Sequence, residues 1–154
     1  MTIEKDLMFM QEAVLEAKKA QDLDEVPVGA VAVLEDTIIT RSHNLREKNH
    51  DPLGHAELLL LREVASKEKN WRLTDVSLYV TCEPCLMCAG AIIQARIKRL
   101  VFGCFDPVAG ACGSFFNVFD DKKDIIKIDV NGGVMLDECA NLLSGFFREK
   151  RGKK

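Results

Sequence analysis

The chain has 154 residues, 47% apolar and 29% charged, the balance of an ordinary globular domain rather than a disordered or fibrous chain. No apolar run approaches the roughly 18 residues of a membrane span. The opening "MTIEKDLMFMQEAVLEAKKA" mixes acids and bases through its apolar positions, unlike a secretory leader, so a cytoplasmic location is expected. A formal net charge of −3 does not suit a surface given over wholly to nucleic-acid phosphates. In a reducing compartment the six cysteines are expected as thiols, core residues or metal ligands rather than disulfides.

In chain order, Leu7, Met10, Val14 and Ala17 fall at helical spacing and predict an amphipathic helix. "VGAVAVL" (28–34) and "TIIT" (37–40) flank Glu35-Asp36 and read as a hairpin. "NHDPLG" (49–54) is loop, and "HAELLLLREVAS" (55–66) a helix. "VSLYVT" (76–81) is a strand, after which Pro84 suits the first turn of a helix running through "CLMCAGAIIQA" (85–95). "RLVFG" (99–103) is a strand and "FDPVAGACGS" (105–114) a glycine-containing loop. "IIKIDV" (125–130) is the last strand, followed by a turn at 131–133. "LDECANLLSGFFREK" (136–150) closes as a helix with Leu136, Ala140, Leu143 and Phe147 on one face. Strands alternating with helices after one hairpin predict a three-layer α/β domain with a mixed sheet. No repeat or linker divides residues 1–154, so a single domain is expected. The tail 148–154 gathers Arg148, Lys150, Arg151, Lys153 and Lys154 against Glu149, which suits either a solvated terminus or a phosphate contact.

The chemistry concentrates in two short segments, "HAE" (55–57) and "TCEPCLMC" (81–88). Zinc takes thiolate sulfur and imidazole nitrogen in tetrahedral sites, closed when structural and one position short when catalytic. Cys85 and Cys88, three apart at a helix start, share one face near N–H groups that favour thiolate. His55 opens another helix, so His55, Cys85 and Cys88 supply three ligands and leave room for water. Cys82 lies before Pro84 and would have to fold back to reach the same ion, so it is expected in the core or a pocket wall. A redox C-x-x-C pair is disfavoured because the proline precedes both cysteines. Glu57 follows His55 closely. Alone it would read as a first-turn acid favoured by the helix dipole. Beside a metal that lowers the pKa of water toward about 7, it is suited to carry the water's proton.

The order H-x-E…P-C-x-x-C is the signature of zinc nucleobase deaminases. With "EVPVGAV" (25–31), "HDPLGHAE" (50–57), "VTCEPCLMCAGAI" (80–92), "FDPVAGACGS" (105–114) and "LDECANLLSGFF" (136–147), nearly the whole chain resembles the cytidine deaminase superfamily, and within it the bacterial tRNA-specific adenosine deaminases. The resemblance implies an α/β/α cytidine deaminase-like fold with a mixed central sheet of about five strands. It implies one zinc per subunit on His55, Cys85 and Cys88, and Glu57 as proton shuttle. Asn44 matches an asparagine that hydrogen-bonds the target base, and Pro27, Val28 and Gly29 match the segment backing the base pocket. Asp106 matches a loop acid near the preceding nucleotide, and Phe147 and Arg148 match positions that meet the RNA. A homodimer acting on a tRNA anticodon stem-loop is also implied, as is a backbone N–H near Cys82 or Glu83 that orients the attacking oxygen. Val108 stands where the family often has a basic residue, and Cys82 where it usually has an apolar one.

The resemblance implies hydrolytic deamination of adenosine to inosine at the wobble position of the anticodon. The alternative sharing the metal chemistry is a free-base or nucleoside deaminase acting on guanine or cytosine. A zinc-stabilised RNA-binding module without activity is a further alternative, against which Glu57 speaks.

Overall fold

The computed structural model describes residues 2–120 and 125–152. Its elements are α1 (Ile3–Asp22), β1 (Gly29–Leu34), β2 (Thr37–His43), α2 (Ala56–Glu68), β3 (Ser77–Cys82), α3 (Leu86–Gln94), β4 (Arg99–Cys104), β5 (Asp129–Asn131) and α4 (Leu136–Gly152). The sheet order is β2-β1-β3-β4-β5. β1 pairs antiparallel with both β2 and β3, whereas β3–β4 and β4–β5 are parallel, so the sheet is mixed as expected. Among the described residues no helix is long and apolar enough to cross a membrane.

Period-two alternation divides the sheet residues between two helical layers. Ala30, Ala32, Leu78, Val80, Leu100 and Phe102 face one way, against Leu60 and Val64 of α2 and Ala89 and Ile92 of α3. Val31, Val33, Tyr79 and Val101 face the other way, against Phe9, Met10, Ala13 and Val14 of α1 and Cys139 of α4. The result is the α/β/α arrangement. It places α2 and α3 side by side on one face.

Local chemistry accounts for the element ends. Thr2 caps α1 by accepting the Lys5 N–H at 3.1 Å. The β1–β2 turn puts Glu35 and Asp36 both at positive φ, 50° and 60°, the conformation that matches the twist of a two-residue hairpin.

Several expectations shift. Leu7 is exposed, and Asp6 takes its place on the inner face of α1, where Arg99 and Tyr79 bind its carboxylate. The last strand is shorter than 125–130. Ile126 and Ile128 pack on the core, but only 129–131 pairs with β4. On α4 the buried residues are Cys139 and Phe146, not Leu136 and Phe147. Pro84 precedes the N-cap Cys85 rather than sitting in the first turn of α3. The basic tail is helical through Gly152, and the Lys150 ammonium pairs with Asp24 at 2.5 Å. Lys153 and Lys154 lie outside the described residues.

Candidate active site

His55 and Cys85 occupy equivalent places, each the N-cap of its helix with extended backbone. Neither side chain bonds its own helix, so both are free to turn toward each other. The Nδ1 of His55 lies 3.6 Å from Cys85 Sγ and 3.5 Å from Cys88 Sγ. A tetrahedral zinc with ordinary bond lengths holds sulfur and nitrogen about 3.6 Å apart, so the donor set fits that ion. Among the described residues this is the one group of three or more His, Cys, Asp or Glu ligand atoms close enough to share a metal. Cys82 is outside it. It lies in register with Cys104 on the neighbouring parallel strand, both as free thiols.

Protonation in the cluster follows from burial and proximity. Hydrogen bonding from the Cys88 thiol, helped by His55, overcomes burial and pulls Cys85 down to about 4. Cys88 is held protonated by its bond to Cys85 and by burial. His55 is raised, chiefly by its bond to Cys85. Glu57, 4% exposed, is pushed up to about 7 by burial, against the opposing pull of its own backbone and of His55. A carboxyl poised near neutrality can both take and give a proton. A metal bound here would displace the thiol protons, as thiolate ligation requires.

Above the cluster opens a cavity of about 400 Å³, a size suited to a small ligand or a nucleoside. His55, Glu57 and Cys85 form its floor, and Cys88 is wholly buried beneath. Val26, Val28 and Asn44 form one wall; Phe105, Asp106 and Pro107 form another. Leu143 and Phe147 reach in from α4. Asn44 is fixed at both ends of its amide: Nδ2 donates to the Val26 carbonyl at 3.2 Å, and Oδ1 accepts the Arg46 N–H at 3.1 Å. Each end keeps one further hydrogen-bonding position for a ligand. The Asp106 carboxylate accepts the Val108 and Ala109 N–H groups and shapes its own loop.

Pro27 and Gly29 are buried behind the wall and do not line the cavity. Gly29 is where α1 crosses closest, and a methyl there would collide with the Ala13 carbonyl. Arg148 is exposed outside the cavity, its Nε donating to the Ser144 carbonyl at 3.4 Å. Val108 is 79% exposed on the loop tip. The Glu83 N–H donates to the Cys104 carbonyl at 2.9 Å rather than into the cavity.

Two pocket acids carry roles the sequence reading left unassigned. Glu25, 1% exposed, accepts the Glu47 and Lys48 N–H groups at 3.0 and 2.7 Å and fixes the loop after Asn44. Glu83 does the same for the loop after β4. The signal available in sequence was an acid beside each functional segment, in "EVPVGAV" and "CEPC", with nothing to say that either was buried.

The sheet, the paired helix starts and the His/Cys/Cys cluster define a zinc-binding deaminase domain: residues 3–104 match the cytidine and deoxycytidylate deaminase zinc-binding region. A tRNA-specific adenosine deaminase of Bacillus subtilis (strain 168) is 45% identical, over 97% of this chain and 93% of that protein. One of Haemophilus influenzae (strain ATCC 51907 / DSM 11121 / KW20 / Rd) is 47% identical, over 98% of this chain and 88% of that protein. A solved structure from studies of A-to-I editing by tRNA:A34 deaminases at the wobble position of transfer RNA superposes with a TM-score of 0.84. It is 41% identical and covers 88% of this chain and 99% of that one. The chain belongs to the tRNA-specific adenosine deaminase family.

Proposed function

We propose that this chain hydrolyses adenosine to inosine at the wobble position of a tRNA anticodon. The observation that carries this reading is the buried Glu57 carboxyl beside His55, Cys85 and Cys88, on the floor of a nucleoside-sized cavity. His55, Cys85 and Cys88 would hold zinc, one per subunit, and zinc when bound lowers the pKa of water and so supplies a nucleophile at neutral pH. Glu57 would take a proton from the attacking water and deliver it to ring N1 as oxygen adds to C6. It then takes the proton of the new C6 hydroxyl and passes it to the departing amine, so that the C6–N bond breaks, ammonia leaves and the C6 carbonyl remains. Asn44 orients the base through its remaining amide positions, and Val28 packs on the ring. A base inside a stem cannot reach this floor, whereas one splayed from a loop can.

The RNA flanking the target base would run past Asp106 on one side and Phe147 and Arg148 on the other. Arg148 and Arg151 face outward on α4 and suit phosphates, a salt-sensitive contribution on a chain that is acidic overall. We read residues 1–154 as one deaminase domain, working as a cytoplasmic homodimer. A free-base deaminase would share the floor of the cavity but has no use for this basic helix end.

The test is incubation of the purified protein with a tRNA pool, followed by sequencing for A-to-inosine changes, with ammonia release from free guanine, cytosine and adenosine measured in parallel. Inosine at position one of an anticodon is expected. Ammonia from a free base with no inosine in the RNA would overturn the reading. Glu57→Gln should retain zinc while losing roughly 10²–10⁴ of the turnover, the usual worth of a general acid–base.

A further inference from the structure

Glu83 is 3% exposed, two residues before Cys85, and takes no part in the proton transfers above. Its carboxylate is the convergence point of one loop. Oε1 accepts the Asp106 N–H at 3.1 Å and the Ser114 hydroxyl; Oε2 accepts the Cys112 and Ser114 N–H groups at 2.9 and 3.1 Å. All four are N–H or O–H donors, and the two oxygens of a carboxyl group can accept from all of them at once. The loop closes so tightly on this carboxylate that a methyl group on Gly110 would collide with it. That loop carries Phe105, Asp106 and Pro107, which form one wall of the cavity.

A second set of contacts ties the same loop to the ligand segment through backbone alone. Gly110 forms a β-bridge with Cys85, and the Ala111 N–H donates to the Pro84 carbonyl at 2.9 Å. The two sets do different work. The backbone bridge locates Cys85. The carboxylate locates the rim of the cavity.

We infer that Glu83 is a positioning residue that holds the Phe105–Pro107 rim in place for the substrate and is not needed to seat the metal. The inference rests on the wobble-deaminase reading for its substrate, but the loop order it describes can be measured without turnover. It separates two properties that a general loss of structure would change together: rim order and affinity on one side, metal content and chemistry on the other.

The experiment compares the full-length wild type with Glu83→Gln, Glu83→Asp and Ser114→Ala. Zinc content, amide hydrogen exchange, and kcat and KM on an anticodon stem-loop are measured for each. In Glu83→Gln one acceptor becomes an NH₂ group facing N–H donors. Amides in 106–114 should exchange at least about tenfold faster while α2 and α3 keep their protection. KM should rise about tenfold to a hundredfold with kcat within about threefold and zinc at the wild-type level. Glu83→Asp keeps the charge but is one methylene short, and should fall between wild type and Glu83→Gln. Ser114→Ala removes only the hydroxyl donor and should raise KM about threefold. It carries the test should Glu83→Gln not fold. Loss of zinc, a fall in kcat at unchanged KM, or unchanged loop exchange would each overturn the inference. Absence of stem-loop turnover in the wild type would count against the wobble-deaminase reading, and loop exchange and zinc content would then decide on Glu83 alone.

Discussion

Cys82, Cys85 and Cys88 stand at equal spacing, yet the backbone gives them different chemistries. Cys82 ends a strand, where hydrogen bonding with the neighbouring Cys104 thiol and then burial push it up. Cys85 sits at a helix start, where Cys88 and His55 pull it toward thiolate. Reactivity here follows from the element each cysteine terminates or begins. Cys82→Ala should therefore keep the wild-type zinc content. It should cost stability no more than about 2 kcal/mol, the range for trimming a small wall residue. Metal analysis and urea unfolding check both, and a zinc-free variant would make Cys82 a ligand. The same contrast marks what sequence could and could not disclose. The cluster of His55, Cys85 and Cys88 with Glu57 beside it was legible because metal chemistry demands fixed residue types at fixed spacing. Glu25 and Glu83 were not, because an acid next to a motif looks the same whether it faces solvent or gathers buried N–H groups.

At the scale of elements, position follows from how closely two backbones must approach. Gly29 opens β1 beneath α1, with no room for a side chain between the strand and the Ala13 carbonyl. Gly29→Ala should destabilise the protein by about 3 kcal/mol or more, because the obstacle is main chain and cannot rotate away. Thermal and urea unfolding measure it, and a neutral result would mean that α1 rides freely on the sheet. Among the described residues each helix and strand was legible from periodicity and turn residues. Their faces were less so. An apolar count put Leu7 on the inner side of α1, but a single buried ion pair outweighed it and drew Asp6 inward. On α4 the apolar residues are dense enough to support more than one stripe. Cys139 meets the sheet-side core with Ala140, Leu142 and Leu143 packed beside it, and Leu143 and Phe147 also reach the cavity. Ile126 and Ile128 carry the alternation of a strand without its ladder, because core packing alone rewards that pattern.

Across the whole molecule, one polar network secures the layer that does not carry the metal cluster. Asp6 accepts from Tyr79 Oη at 2.6 Å and from Arg99 at 2.6 and 2.8 Å, joining α1 to β3 and β4 at the far end of β4 from the cavity. Burial alone would raise the Asp6 carboxyl; the Arg99 and Tyr79 donors overcome it and hold it below its usual value. A carboxyl whose folded pKa is depressed stabilises the fold above its unfolded pKa, and that stability is lost as pH falls through the folded pKa. Asp6→Asn should therefore cost about 1.5–3 kcal/mol near neutrality, since the half-buried Arg99 guanidinium loses its two-pronged carboxylate partner and keeps only Asp129. The gap between variant and wild type should hold down to about pH 5 and narrow progressively below about pH 4. Urea unfolding across that range tests the sign, and a gap that widens in acid would refute it. The last helix belongs to this same layer, opposite α2 and α3, and still sends Leu143 and Phe147 past the end of the sheet into the cavity. Part of the cavity wall is thus supplied by the layer opposite the one that carries its floor. Drift in the C-terminal helix can retune the guest while the hydrolytic floor stays as it is, so in this architecture substrate choice and chemistry can evolve on separate clocks.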